Sequence, residues 1–163
     1  MSVVAKGATD VGLVTIPTIL YGDTIKRGSL DLKFYVTGTL VGQLKDENRD
    51  GNLIQTGPVG STGSGSVAGV ALYNEGFLVL TGAWALSDSH VEEYVETGQD
   101  ERPAWKYFAQ TISASAPTTH SSSYFLGYSG SHKIPTMTLF AHAGKGDLNH
   151  SNNPLDRDWE TKK

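Results

Sequence analysis

The segment SLDLKFYVTGTLVG, residues 29–42, alternates between apolar and polar side chains. Its apolar phase consists of Leu30, Leu32, Phe34 and Val36. Side chains two positions apart share one face of a β-strand, and β-branched and aromatic residues favour strands. The segment therefore predicts a half-buried strand, in which Gly38 marks a bulge or a bend before Leu40.

A β-hairpin is predicted further along the chain. Its arms are residues 70–73 and 77–81, and the turn between them is Asn-Glu-Gly at 74–76. We expect Phe77 and Leu80 to be core residues together with Phe34, because each is interpreted as lying on the apolar phase of an alternating strand.

Strands are also predicted towards both ends of the chain. The segments SSYFLGYSG, 122–130, and KIPTMTLFAHAG, 133–144, are interpreted as a strand pair that turns at 129–131. Near the N-terminus, LVTIPTILYG at 13–22 is a strand candidate. Pro17 restricts this candidate to a sheet edge or an arm, because proline cannot donate to a strand ladder.

One segment, SDSHVEEYVETG at 87–98, departs from the strand pattern. Ser89 is followed three residues later by Glu92, which is the spacing of a helix capping box. Gly98 follows as a plausible helix end. The segment therefore predicts a short helix.

The composition agrees with a protein made of strands and turns, since the chain has 19 glycines among 163 residues and only 18% charged residues. We predict a mainly β fold: an antiparallel β-sandwich or barrel-like domain with long loops and at most one or two short helices. The predicted organisation is an N-terminal arm or edge strand at 1–20, a β-rich domain at 21–149 and a polar C-terminal tail at 150–163.

Charge and hydropathy argue against several classes of partner. The 13 basic and 17 acidic residues give a net charge of −4, whereas a nucleic-acid surface needs a basic footprint. No apolar run approaches the roughly 18 residues that a membrane helix requires. The chain has no cysteine, so disulfides and thiolate metal sites are excluded. We expect neither a nucleic-acid nor a membrane partner, and no small-molecule ligand.

The segment LKDENRDGNLIQTG, residues 44–57, resembles part of a calcium-binding loop. The matching positions are Asp46, Asn48, Asp50, Gly51 and Leu53. The twelfth position, where a calcium loop places a bidentate Glu, is Gly57, and the preceding segment is a strand instead of a helix. A β-turn at Asp50-Gly51 is therefore the favoured interpretation. Asp46, Asn48 and Asp50 remain weak metal-ligand candidates, and calcium is not expected to be required for folding.

Other possible sites lack the spacing that their chemistry needs. His132, His142, Asp147 and His150 include metal-ligand types but no HxxxH or HExxH spacing. The glycine-rich strings GSTGSGS and AGKGD do not end in the Gly-Lys-Ser/Thr of a phosphate loop. The string GYSGS around Ser129 lacks the second glycine of a nucleophile elbow.

Two remaining features have ordinary structural interpretations. The pair Glu92-Glu93 is interpreted as the solvated face of the short helix, although paired carboxylates can serve acid–base catalysis. Trp84 and Trp105 can stack on a sugar, but in a small β-domain they are more often core or interface residues. We therefore expect no catalytic residue, no cofactor and no enzymatic activity.

Four segments resemble structural proteins of tailed bacteriophages, in the same order along the chain. They are YGDTIKRGSLDLKFYVTGTLVG, GPVGSTGSGSVAGVALYNEGFLVLTGAW, PAWKYF and KIPTMTLFAHAGKGDLNHSNNP, and together they extend from Tyr21 to Pro154. The resemblance implies a virion protein of the tail, neck or baseplate, made in the host cytoplasm. Its implied partners are other virion proteins and copies of itself.

The resemblance carries no catalytic residues. The similar phage sequences continue past SNNP, where this chain turns into LDRDWETKK, so both a whole small protein and a module of a larger one remain open. The alternative function is a β-sandwich that binds carbohydrate or a receptor through Trp84, Trp105 or the tyrosines.

Overall fold

The computed structural model describes residues 2–4, 11–95, 99–112 and 121–142 and confirms the mainly β prediction. The strands are β1 Ser2–Val4, β2 Gly12–Thr15, β3 Thr24–Ile25, β4 Asp31–Val36, β5 Thr39–Lys45, β6 Asn52–Gly57, β7 Val67–Leu72, β8 Phe77–Leu80, β9 Glu92–Tyr94, β10 Gln99–Glu101, β11 Ser122–Gly127 and β12 Gly130–Ser131. Two single-turn 3-10 helices cover Thr18–Leu20 and Trp105–Tyr107, and the described residues contain no α-helix.

Eight of the strands form one antiparallel sheet in the order β1-β2-β8-β7-β6-β5-β4-β11. The sheet curls into a half-barrel. Two small sheets accompany it, one of β9 with β10 and one of β3 with β12. Short turns join β4 to β5 and β7 to β8, which is the usual way to connect antiparallel strands.

The segment at 29–42 contains strand β4 and the beginning of β5 instead of a single strand. β4 turns into β5 at Thr37 and Gly38, which have positive φ angles of 48° and 78°. Two consecutive residues with positive φ suit the tight turns that match the twist of a hairpin. Gly38 is therefore a turn residue, and the register shift lies between Phe34 and Tyr35 of β4.

The core lies against the inner face of the half-barrel. The inward side chains with no exposed surface include Val14, Leu32, Phe34, Val36, Leu44, Leu53, Leu78 and Leu80. Trp105 and Phe108 belong to the same cluster and are also fully buried. A Cβ atom at Gly42 would lie 2.6 Å from Cζ2 of Trp105, so the glycine leaves the space that the indole ring fills. The predictions of Phe34 and Leu80 as core residues are confirmed.

The helix predicted over 87–98 is wrong. Glu92–Tyr94 is strand β9, and the Ser89 hydroxyl lies 3.2 Å from Nδ1 of His90. Glu92 and Tyr94 are both buried. Their spacing of two residues places them on one face of a strand, and this period competes with the capping-box signal. Residues 96–98 lie outside the described residues.

The predicted pairing of 122–130 with 133–144 is also wrong. β11 pairs with β4, and β12 pairs with β3. Residues 132–142 contain no strand, and Pro135 lacks the N–H that a ladder requires. The last two residues of that predicted strand lie outside the described residues.

β1 is an edge strand of the main sheet, whereas β2, in the candidate segment at 13–22, lies inside it although Pro17 was expected to restrict that segment to an edge or an arm. β2 pairs with β1 on one side and with β8 on the other. Pro17 follows the last strand residue, Thr15, and therefore removes no ladder hydrogen bond. The chain divides into two compact units, Met1–Lys133 and Ile134–Lys163.

Candidate assembly surface

Asp46, the first candidate metal ligand, is buried and forms hydrogen bonds inside the protein. Its Oδ2 accepts from the backbone N–H of Gly28 at 2.8 Å and from the Tyr73 hydroxyl, and its Oδ1 accepts from the N–H of Gly51 at 3.4 Å. A carboxylate that accepts three such bonds stabilises the turns around it. Asp46 therefore joins the loop after β5 to the turn before β4 and to the end of β7.

The other two candidates lie in the connection between β5 and β6, residues 46–51. Asp50 is exposed and accepts from the backbone N–H of Asn52 at 2.9 Å and from its Nδ2 at 2.7 Å. Both bonds lower the pKa of Asp50, and the bond from the backbone N–H has the larger effect. Asn48 is exposed. The described residues contain no group of three His, Asp or Glu side chains that would hold a metal ion.

Two of the remaining candidate ligands, His132 and His142, lie among the described residues. His132 is exposed and its Nδ1 lies 3.3 Å from Oδ2 of Asp23, and His142 is exposed. Asp147, His150 and the AGKGD string lie outside the described residues. The Ser129 carbonyl oxygen accepts from the backbone N–H of Lys26 at 2.8 Å, as part of the turn structure.

A buried amide connects two tryptophans to the glycine-rich loop at 58–66. Oε1 of Gln55 accepts from Nε1 of Trp84 at 2.8 Å and from Nε1 of Trp105 at 2.9 Å. Nε2 of the same side chain donates to the Ser61 hydroxyl and to the Thr62 carbonyl oxygen, both at 2.9 Å. Trp105 is fully buried, so its ring is not available to stack on a sugar, whereas Trp84 is partly exposed.

Glu92 is buried, in contrast to the predicted solvated helix face. Its carboxylate accepts from the Tyr94 hydroxyl at 2.7 Å and from the Ser122 hydroxyl. Burial first, and then the Glu92 carboxylate, raise the pKa of Tyr94. The Tyr107 ring stacks on Tyr94 at 4.4 Å between centroids. The Tyr107 hydroxyl is buried and finds no hydrogen-bond partner among the described residues.

A cleft of about 410 Å³ opens next to these tyrosines. It is lined by Ala83, Ala85, Val91, Glu101, Arg102, Ala104, Lys106 and Tyr107. The Arg102 guanidinium donates to Asp88 at 2.8 Å, and Nζ of Lys106 lies 4.6 Å from the centroid of the Tyr107 ring. Both cations contact protein groups, and the described lining residues do not form a nucleophile–base pair.

The outer face of the half-barrel carries two cross-strand rows of side chains, all of them apolar except Thr15. One row is Leu13, Val79 and Val70, and the other is Thr15, Phe77 and Leu72, in the register of β2, β8 and β7. We call these six residues the outer patch. The rows alternate with the buried residues Val14, Leu78 and Leu80, so the prediction of Phe77 as a core residue is wrong. Phe77 and Leu80 are three positions apart and must face opposite sides of a strand.

The two residues of the outer patch that belong to β7 are exposed to solvent. Val70 is 44% exposed and Leu72 is 43% exposed. None of the six side chains of the patch is charged. Contiguous exposed apolar surface marks sites where other molecules bind more often than it marks an inert surface.

A second set of exposed apolar side chains lies in the unit Ile134–Lys163. Ile134, Met137, Leu139 and Phe140 are 76 to 93% exposed. We call residues 134–140 the apolar segment. It contains no charged residue and no regular secondary structure. Four large apolar side chains within seven residues are unfavourable in water unless another surface covers them.

Within the described part of the chain, helices are too short for any of them to span a membrane. Comparisons of the chain with protein-family models, with curated proteins and with solved structures returned no match.

Proposed function

We propose that this chain is a non-enzymatic structural component of a bacteriophage virion, located in the tail, neck or baseplate. In this role it contacts other virion proteins and copies of itself in a symmetric assembly. The observation that carries the proposal is the presence of two uncharged apolar surfaces, the outer patch and the apolar segment, that are exposed in the single chain.

The organisation of the polar groups supports the same role. Asp46 and Gln55 are buried polar side chains that each form several hydrogen bonds. Asp46 joins neighbouring loops, and Gln55 joins the sheet to the loop at 58–66 and to Trp105. Bonds of this kind fix the shape of loops, which is what repeated contacts between subunits require. The resemblance of four segments to phage structural proteins supports a virion as the assembly.

The test is mass spectrometry of purified virions from a phage that encodes this chain, combined with a density map of the same sample. We expect the chain in the particle at a copy number that follows the symmetry of the tail, neck or baseplate. Absence of the chain from purified particles would overturn the proposal. A glycan array with the isolated protein addresses the carbohydrate-binding alternative, for which we expect no signal.

A further inference from the structure

We propose that the cleft beside Tyr107 binds a small organic anion, namely a carboxylate attached to a short apolar body. In this site Arg102 and Lys106 hold the carboxylate, and the apolar walls of the cleft contact the body of the ligand. The inference is independent of the virion role, and it replaces the expectation that the chain has no small-molecule ligand.

Backbone hydrogen bonds hold the two walls of the cleft together. The N–H of Leu86 donates to the Pro103 carbonyl oxygen at 2.7 Å, and the N–H of Lys106 donates to the Gly82 carbonyl oxygen at 3.1 Å. The two bonds attach both ends of the segment 82–86 to the residues that lead into the covering 3-10 helix. The cleft is therefore formed before a ligand arrives, as sites for small molecules usually are.

Small side chains create the space between these walls. Ala83, Ala85 and Ala104 have only a methyl group as side chain, and they line a volume of about 410 Å³. Val91 and Tyr107 add two larger side chains to the lining. Sites for small molecules occupy about 300 to 1,000 Å³ and are lined mainly by apolar side chains. The lining therefore favours a ligand with an apolar body, whose burial stabilises the complex.

The charged residues of the cleft favour an anion. Arg102 and Lys106 line it together with a single acid, Glu101. The guanidinium of an arginine presents a planar fork of N–H donors that matches a carboxylate. Nζ of Lys106 lies 4.6 Å from the centroid of the Tyr107 ring, and this cation–π contact restrains the ammonium group beside the cleft.

Asp88 is the group that the ligand displaces. Its Oδ1 lies 2.8 Å from Nη1 of Arg102, and the two side chains are 78% and 57% exposed. Exposed ion pairs of this kind contribute little to stability. The exchange of the Asp88 carboxylate for that of a ligand therefore has a small cost. Asp88 competes with the ligand for Arg102, so its removal should strengthen binding.

The experiment titrates the full chain with phenylacetate, phenylacetamide and acetate, and follows the backbone amide signals by NMR. Phenylacetamide keeps the apolar body without the charge, and acetate keeps the charge without the ring. We expect phenylacetate to bind most tightly of the three and to shift the amide signals of the residues that line the cleft.

Four variants test where phenylacetate binds. Arg102→Gln should weaken binding about tenfold or more, because hydrogen bonds to a charged group are lost. Ala83→Leu should also weaken it, because the larger side chain fills the cleft while every charge is kept. Asp88→Asn should strengthen binding by up to about fivefold, which is the effect of removing an exposed ion pair. Lys133→Gln removes a positive charge from an exposed residue outside the lining and should leave binding unchanged.

Other outcomes overturn the inference. Equal binding of phenylacetamide would exclude an anion as the ligand, and equal binding of acetate would exclude the apolar body. Binding that neither Arg102→Gln nor Ala83→Leu weakens would place the probe elsewhere, and unchanged amide signals at millimolar phenylacetate would exclude the site. Weaker binding by Asp88→Asn would contradict competition for Arg102. Melting temperatures identify a variant that loses binding because it fails to fold, and stronger binding by Asp88→Asn cannot arise in that way.

Discussion

Nε1 of Trp105 donates a hydrogen bond to Oε1 of Gln55, which lies 50 residues earlier in the chain. Through this bond the covering 3-10 helix is attached to β6, at the centre of the half-barrel. The oxygen also accepts from Trp84, and the amide nitrogen holds the glycine-rich loop at Ser61. One buried side chain therefore determines the relative positions of the sheet, the covering helix and the loop at 58–66.

The Gln55→Ala variant should lose about 2 to 5 kcal/mol of unfolding free energy. The substitution leaves a fully buried indole N–H and a second, partly buried one without an acceptor, and each unsatisfied group costs about 1 to 3 kcal/mol. Urea denaturation monitored by tryptophan fluorescence measures the change. The matched control is Gln43→Ala, which removes a partly buried bond to Asp31 and should cost about 1 kcal/mol.

Alanine at Gly63 should destabilise the protein more than alanine at Gly65. Both glycines have positive φ angles, of 81° and 82°, so both substitutions carry the same backbone cost of about 1 to 2 kcal/mol. At Gly63 the new Cβ would lie 2.0 Å from Nε1 of Trp84, whereas at Gly65 nothing lies within 4 Å. The difference between the two melting temperatures isolates the contact with Trp84, and equal values would contradict the close approach of this loop.

The sequence predicted the strands of this fold better than their partners. The period-two pattern of β4 and the turn residues of the β7–β8 hairpin depend on neighbours along the chain, so they could be recognised without a structure. The pairing of β11 with β4 joins residues about 90 positions apart, and no local pattern specifies it.

The candidate site was less predictable, for a similar reason. Alternation shows that Phe77 and Leu80 face opposite sides, but only the packing of the whole sheet determines which side is inside. Asp46 has the spacing of a calcium ligand, and its acceptors are used by Gly28 and Tyr73, which are 18 and 27 residues away. Distant partners of this kind leave no signature in a single sequence.

Calcium should leave the stability of the protein unchanged. Asp46 already accepts hydrogen bonds from the backbone and from Tyr73, so it is not available as a ligand without loss of those bonds. Melting temperatures in calcium and in chelator should agree. The Asp46→Ala variant should lose about 2 to 5 kcal/mol, because it leaves buried donors unpaired, and Asp50→Ala should lose less than about 1 kcal/mol. A rise in melting temperature with calcium that disappears in both variants would identify a real calcium loop.

Stability should fall at alkaline pH. Burial first, and then the neighbouring carboxylates Asp46 or Glu92, raise the pKa of Tyr73, Tyr94 and Tyr124. In the unfolded chain a tyrosine ionises with a pKa of about 10, whereas in the folded protein these three remain protonated to higher pH. Their contribution to the unfolding free energy is therefore fully present below about pH 10 and is lost as the pH rises above it. Each tyrosine should contribute a slope of about 1.4 kcal/mol per pH unit in that range.

Thermal melts from neutral pH to above pH 10, with tyrosinate absorbance recorded on the same samples, measure this effect. Tyr94→Phe should lower stability at neutral pH, because Glu92 loses a donor, and should reduce the alkaline slope. Ionisation of all the tyrosines near pH 10 in the folded protein would contradict the buried environments of these three.

Phe34→Ala should be far more damaging than Phe77→Ala. Phe34 is fully buried, and its ring lies 4.8 Å from that of Tyr124 and 6.2 Å from that of Trp105, measured between centroids. Removal of a buried phenyl ring costs about 3 to 5 kcal/mol, because it loses transfer free energy and leaves a cavity. Phe77 is half-buried on the outer face, where solvent can occupy the vacated space, so we expect a loss nearer about 1 kcal/mol. Urea denaturation of both variants at a concentration at which the chain is monomeric compares the two faces without a contribution from association. Equal losses would mean that the sheet has another layer packed on its outer face in the monomer.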